Sequence, residues 1–120
     1  MPAYNAGTTI EKVFSHIPEE VKKGIHSYVV VNDGSTDTTE EILTKLSKQY
    51  SNLTILRHES NRGYGAAEKT LLNYALKEEA DISILLHSDD QYSPEKIPDL
   101  LRYCQMLCLS IRRHPLPYHQ

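Results

Sequence analysis

The sequence predicts an α/β fold, a three-layer αβα sandwich around a mostly parallel sheet. Three observations predict it. Short β-branched apolar runs alternate with longer stretches whose apolar residues recur at helical spacing. Each short run ends in a cluster of turn-forming or polar residues. The chain has 120 residues, enough for one domain at most. Alternation of this kind puts parallel strands in the middle and helices on their faces.

The elements follow in order. Thr8 and Thr9 can cap a helix whose apolar face is Ile10, Val13, Phe14 and Ile17, and Pro18 ends that helix or starts a second turn. Ser27-Tyr-Val-Val-Val31 is apolar on both faces, as a buried parallel strand must be, and it stops at Asn32-Asp-Gly-Ser35. Asp37 followed by Glu40 resembles a capping box, and Ile42, Leu43, Leu46 and Tyr50 share the face of the helix it opens. Leu53-Thr-Ile-Leu56 is a second strand, Asn61–Gly65 a loop, and Ala67, Leu71, Tyr74 and Ala75 a further helix face. Asp81-Ile-Ser-Ile-Leu-Leu86 is a third strand, followed directly by His87-Ser-Asp-Asp-Gln91. Ser93-Pro94 starts the last helix, with Ile97, Leu100, Leu101, Cys104 and Leu107 as its stripe; Pro98 kinks it or moves its start later.

Composition removes several function classes. Thirteen Lys+Arg against 16 Asp+Glu leave a net charge of −3, with no basic footprint for nucleic acid. No run approaches the roughly 20 apolar residues of a membrane span, and no basic segment leads into a signal-type apolar stretch. Two cysteines cannot build a disulfide scaffold, which points to a reducing, cytoplasmic setting. The apolar fraction of 39% fits a small, marginal soluble domain or a piece of a larger one.

The polar clusters fall where an open α/β sheet binds ligands, at the carboxyl ends of strands. Asn32-Asp33 ends the first strand and His87–Gln91 follows the third, so their carboxylates share one rim. Carboxylates there suit Mg²⁺ or Mn²⁺ held beside substrate phosphates, although each cluster alone is also an ordinary strand-to-helix turn. Two nucleotide motifs fail. Gly63-Tyr-Gly65 begins like G-x-G-x-x-G, but Glu68 stands where the third glycine should be. The same Glu68 precedes Lys69-Thr70 where a P-loop has glycine, and its charge would repel phosphate; Arg62 and Lys69 could still meet a diphosphate. Cys104, Cys108, His114 and His119 form a C-x₃-C-x₅-H-x₄-H string whose central gap is too short for a usual zinc finger, so the thiols read as core residues. His16, His26 and His58 have no partner pattern and read as surface or satisfied residues.

Four ordered segments resemble the family 2 glycosyltransferases of the GT-A fold. They are Pro2-Ala-Tyr-Asn5, Val30-Val-Asn-Asp-Gly-Ser-Thr-Asp-Thr38, Asn61-Arg-Gly-Tyr-Gly65 and His87-Ser-Asp-Asp-Gln-Tyr-Ser-Pro-Glu95. The dolichyl-phosphate mannosyltransferase-like, or polyprenyl-phosphate glycosyltransferase, branch is most similar. The resemblance covers residues 1–101 as a partial GT-A domain and leaves 102–120 as an atypical tail that looks like a frameshift product or alternative end. It implies a Rossmann-like nucleotide-sugar-binding half, a GDP- or UDP-sugar donor, inverting transfer and a polyprenyl phosphate acceptor, with the cytoplasmic face of a membrane as the alternative location. It assigns Pro2, Tyr4 and Val31 to the nucleoside pocket, Asp33 to the base or ribose, the Ser88 backbone to the donor, and Asp89 to both donor and metal, with Gln91 nearby. It names no catalytic base; an ionised phosphate acceptor needs none.

The sequence departs from the family pattern at two positions. His87 replaces the first carboxylate of D-x-D, and Ala6 replaces a usual acidic residue. Met1 stands directly before Pro2, so the family's first, central strand is expected to be missing. Its neighbours must then collapse together or leave backbone groups unpaired. Two further readings compete: a non-catalytic fragment that keeps only nucleotide binding, favoured by the missing acceptor half, and a phospho-acceptor receiver domain, which lacks its expected acidic pair.

Overall fold

The computed structural model describes residues 1–111, with side chains through Cys104. The side chains of Leu107 and Cys108, together with His114, His119 and the rest of 112–120, lie outside the described residues. Element order is β1 (Pro2–Ala3), α1 (Ile10–His16), α2 (Glu19–Lys22), β2 (Tyr28–Asp33), α3 (Thr39–Gln49), β3 (Leu53–His58), α4 (Tyr64–Lys77), a 3₁₀ turn (Pro94–Lys96) and α5 (Ile97–Ile111). The three strands form one parallel sheet in the order β1-β2-β3.

The alternation of β2 explains the layers. Tyr28 and Val30 point to one face, where Val30 packs with Ile10, Phe14, Leu43 and Leu46 of α1 and α3. Phe14, Tyr28 and Tyr50 meet there with ring centroids 5.1–5.5 Å apart. Val29 and Val31 point to the other face, against Ala67 and Leu71 of α4. β3 follows the same parity, with Leu53 and Ile55 toward α1 and α3 and Leu56 toward α4. Both faces are covered, as the apolar run predicted. Pro18 separates α1 from α2, and Pro98 falls in the first turn of α5, so the helix starts later than Ser93-Pro94 implied.

Three expectations need correction. The first strand is not wholly absent: Pro2 and Ala3 pair with Val31 and Asn32, and the Met1 amino group donates to the Val29 carbonyl at 2.7 Å. Residues 81–86, expected as a third strand, make no ladder pairing among the described residues. Alternation survives only over residues 84–86, where Ile84 and Leu86 pack toward Ile17, Val21 and Ile97 and Leu85 between them is exposed; Ile82, of the same parity as Ile84, is exposed too. The hydrogen bonds are missing because β1 offers only two residues, one of them a proline without an N–H. Finally, Asp37 and Glu40 do not form a capping box. Asp37 Oδ1 accepts from Thr39 N at 2.9 Å, while Glu40 takes Asn32 Nδ2 and Arg57 Nε, each at 2.7 Å. A salt bridge outcompeted the cap.

Candidate functional site

The C-terminal ends of β1 and β2 open into one cleft of about 230 Å³. Pro2 and Ala3 line it from β1 and Tyr4 from the bend just after it, Asp33 from β2, Asn61, Tyr64 and Ala67 from the β3–α4 connection and α4, and His87, Ser88 and Asp89 from the segment after residue 86. Five sequence-predicted residues, Pro2, Tyr4, Asp33, Ser88 and Asp89, are thereby brought together across 87 positions of chain. Two are not among the lining residues. Val31 is fully buried against Ala67 and Leu71, a wall behind the cleft, and Gln91 is exposed beyond its rim.

Local chemistry sets the loops. Gly34 has φ +67, and a Cβ there would lie 2.5 Å from both Asn61 N and the Ser60 carbonyl carbon, so the β2 turn lets the 60–61 backbone lie flush on it. Asn32 Oδ1 accepts Ser35 N at 3.2 Å and steadies the same turn. The loop after β1 is tied to the loop after β2. Thr39 Oγ1 accepts Ala6 N at 2.9 Å, Asp37 Oδ2 accepts Gly7 N at 3.1 Å, and Asn5 Oδ1 accepts Thr36 N at 2.9 Å. Ala6 is buried in that junction. Thr9 makes no cap hydrogen bond with its side chain; it donates to the Ser88 carbonyl at 2.6 Å and pins the His87–Asp89 segment to the start of α1.

Asp33 is the most enclosed charge of the site. Its Oδ1 accepts His58 Nδ1 at 2.6 Å and Arg62 N at 3.0 Å, and its Oδ2 accepts Gly63 N at 2.9 Å. Burial pushes its carboxyl up, but these donors and the nearby His58 ring outweigh burial and hold it below the usual carboxylate range. His58 Nε2 meets Thr70 Oγ1 at 2.9 Å. His58 is therefore a satisfied residue, as one of the two readings had it, though buried and not at the surface. Its register opposite Asp33 was the signal that could have found it: both close their strands, 25 residues apart like every pair in the ladder.

The two adjacent carboxylates of the second cluster differ. Asp90 Oδ2 receives Lys12 Nζ at 2.5 Å, whereas Asp89, exposed at the cleft, accepts only the Gln91 N–H, at 3.1 Å, among the described residues. His87, in the place of the first carboxylate, sits between Tyr64, tilted to it, and Tyr92, edge-on to it, with centroids 5.2 and 4.8 Å away, and its Nε2 lies 3.0 Å from the Tyr64 hydroxyl. Among the described residues no three His, Cys, Asp or Glu side chains converge as a metal cage. One open carboxylate fits only a cation that substrate oxygens and water complete, which is how Mg²⁺ is usually held.

Residues 1–108 match the family described as Glycosyl transferase family 2. The chain belongs to that family. Among curated relatives, this family 2 chain is 31% identical over 117 residues to a UDP-N-acetylglucosamine–dolichyl-phosphate N-acetylglucosaminyltransferase of Methanococcus voltae, covering 85% of the chain and 44% of that protein. It is 29% identical over 101 residues to a dolichol-phosphate mannosyltransferase of Pyrococcus furiosus, covering 84% of the chain and 28% of that protein. A dolichyl-phosphate beta-glucosyltransferase of Trichomonas vaginalis is 34% identical over 74 residues, 56% of the chain and 23% of that protein. The chain thus spans less than half the length of these relatives. Among its described residues no helix is long and apolar enough to cross a membrane.

Proposed function

We propose that the cleft is the donor site of an inverting sugar transfer from a GDP- or UDP-sugar to a polyprenyl phosphate. The observation that carries this reading is the convergence of Pro2, Tyr4, Asp33, Ser88 and Asp89 on one cleft at the strand ends, with Asp89 as its open carboxylate. The acceptor class rests on the dolichyl-phosphate relatives. In this reading Pro2 and the exposed Tyr4 take the nucleoside, with Val31 behind them. Asp33 offers the remaining acceptor capacity of Oδ2 to base or ribose, and the Ser88 backbone touches the donor. Asp89, with Gln91 beside it, would hold Mg²⁺ or Mn²⁺, which when bound neutralises charge on the departing nucleoside diphosphate. For these 120 residues by themselves, nucleotide binding without transfer is the second reading, supported by the share of the relatives' length that they match.

Calorimetric titration of the chain with UDP and with GDP, in Mn²⁺ and in EDTA, tests the assignment. Asp89→Asn should remove most cation-dependent affinity, and Asp90→Asn should matter less because Asp90 is paired with Lys12. Equal affinity in Asp89→Asn and the parent would sink the role of Asp89. Asp33→Ala should cost about 1–3 kcal/mol of nucleotide binding in EDTA as well as in Mn²⁺. If the chelator abolishes that difference, Asp33 acts through the cation and the division of roles is wrong.

A further inference from the structure

Between β3 and α4 the chain runs through residues 59–63, and Asn61 of this connection forms part of the cleft wall. Glu59, Ser60, Asn61 and Arg62 are exposed, and Gly63 has φ +91 with open space where a Cβ would be. Such a connection has little apolar burial to hold it. What holds it is Asp33: the carboxylate accepts the N–H groups of both Arg62 and Gly63. The Asp33 side chain borders the open cleft. It is kept inward by His58, whose Nδ1 lies 2.6 Å from Oδ1, the side chains of the two residues being 7% and 3% exposed. An ionised carboxylate only accepts, so this nitrogen carries the proton. The other nitrogen lies 2.9 Å from Thr70 Oγ1, which also lies 3.0 Å from the Ala66 carbonyl one turn back in α4; the single hydroxyl proton serves one of these two acceptors at a time. The imidazole is thus fixed from both sides by rigid elements, the end of β3 and the second turn of α4.

We propose that His58 is a positioning residue of the nucleotide cleft: braced by Thr70, it aims the Asp33 carboxylate at the Arg62 and Gly63 amides and so fixes the loop that carries Asn61 into the cleft wall. His58 does not itself line the cleft. Its effect on ligand rests on the donor-site reading above, but its effect on the loop does not.

The test uses the 120-residue chain with ¹⁵N labelling. The amide proton shifts and exchange protection of Arg62 and Gly63 report the clamp, the β2–β3 amides report the fold, and titration with UDP and GDP reports the cleft. His58→Leu keeps bulk and removes the donor. It should move both loop amides toward unbonded values and cut their protection, while the sheet amides keep theirs, and weaken nucleotide affinity roughly ten-fold, the equivalent of one hydrogen bond to a charged group. His58→Asn, which can place an N–H near the Nδ1 position, should restore much of both. Thr70→Val, a near-isosteric change, should loosen the same two amides and serves if His58→Leu does not fold. Unchanged Arg62 and Gly63 amides in folded His58→Leu, or in Thr70→Val if that variant alone folds, overturn the proposal. A parent chain that binds neither UDP nor GDP, yet whose loop amides respond as expected, sinks the donor reading and leaves the clamp standing.

Discussion

The Met1 amino group gives the sharpest handle on how β1 is held. It is buried at the head of the sheet and donates to the Val29 carbonyl at 2.7 Å, and burial pushes its pKa from the ordinary 8.0 down to about 5. An amine whose folded pKa lies below its unfolded one must lose a proton to fold in the window between them. The unfolded chain binds more protons there, so stability rises with pH from 5 to 8. Worked from those two values, the penalty is about 3 kcal/mol at pH 6, about 1 kcal/mol at pH 7 and close to nil at pH 9. Acetylating Met1 replaces the amine with an amide that keeps an N–H for Val29 and carries no charge. The acetylated chain should therefore melt roughly 5–10 °C higher at pH 7. Its advantage should widen at pH 6 and vanish by pH 9. Thermal unfolding followed by circular dichroism on both forms at the three pH values measures this. Since every other titrating group is common to both, only the difference between them matters. Parallel pH profiles would refute the reasoning and show that the amine reaches water in the folded state.

Four further outcomes are expected. Prepending about six β-branched residues to Met1 should extend β1 along Tyr28–Val30 and give residues 82–86 a partner, sharpening unfolding and lowering light scattering, because unpaired apolar edges template association; a 120-residue chain that already melts sharply as a monomer would count against it. Gly34→Ala should destabilise by at least about 1–3 kcal/mol in urea, since the added Cβ meets backbone at Asn61 and Ser60 in a left-handed conformation. Leu43→Ala should cost about 2–5 kcal/mol, Leu43 being fully buried between α3 and the sheet. In acid titration Asp33 should contribute stability that is complete above its unfolded pKa near 4 and lost as pH falls through its lower folded value; the Asp33 carboxyl resonance followed by NMR should titrate below the ordinary aspartate value of about 4.

Patterns local to the chain were legible without coordinates. The β-branched run at 27–31 required burial on both faces, and β2 has it; the helical stripes at 10–17, 42–50 and 67–75 each lie within or beside a helix of the sheet's covering layers. Strand ends rich in Asp and Asn marked the rim where Asp33, Ser88 and Asp89 now share a cleft. These follow from periodicity and turn chemistry, which act over a few residues. Pairing acts over many, and there tertiary structure decided. Residues 81–86 read as a strand and alternate over 84–86 yet form no ladder among the described residues, because a strand also needs a partner's N–H and C=O groups and β1 supplies only two residues. Glu40 looked like half of a capping box until Asn32 and Arg57 were brought to it. The resemblance alone picked Asp89 over its neighbour Asp90, and the approach of Lys12 from α1 adds the physical difference between an open carboxylate and a paired one. His58 had no neighbour in sequence to give it meaning. Its partners, Asp33 and Thr70, come from another strand and from the helix packed over both, and a contact between side chains that far apart in the chain exists only once the layers have closed.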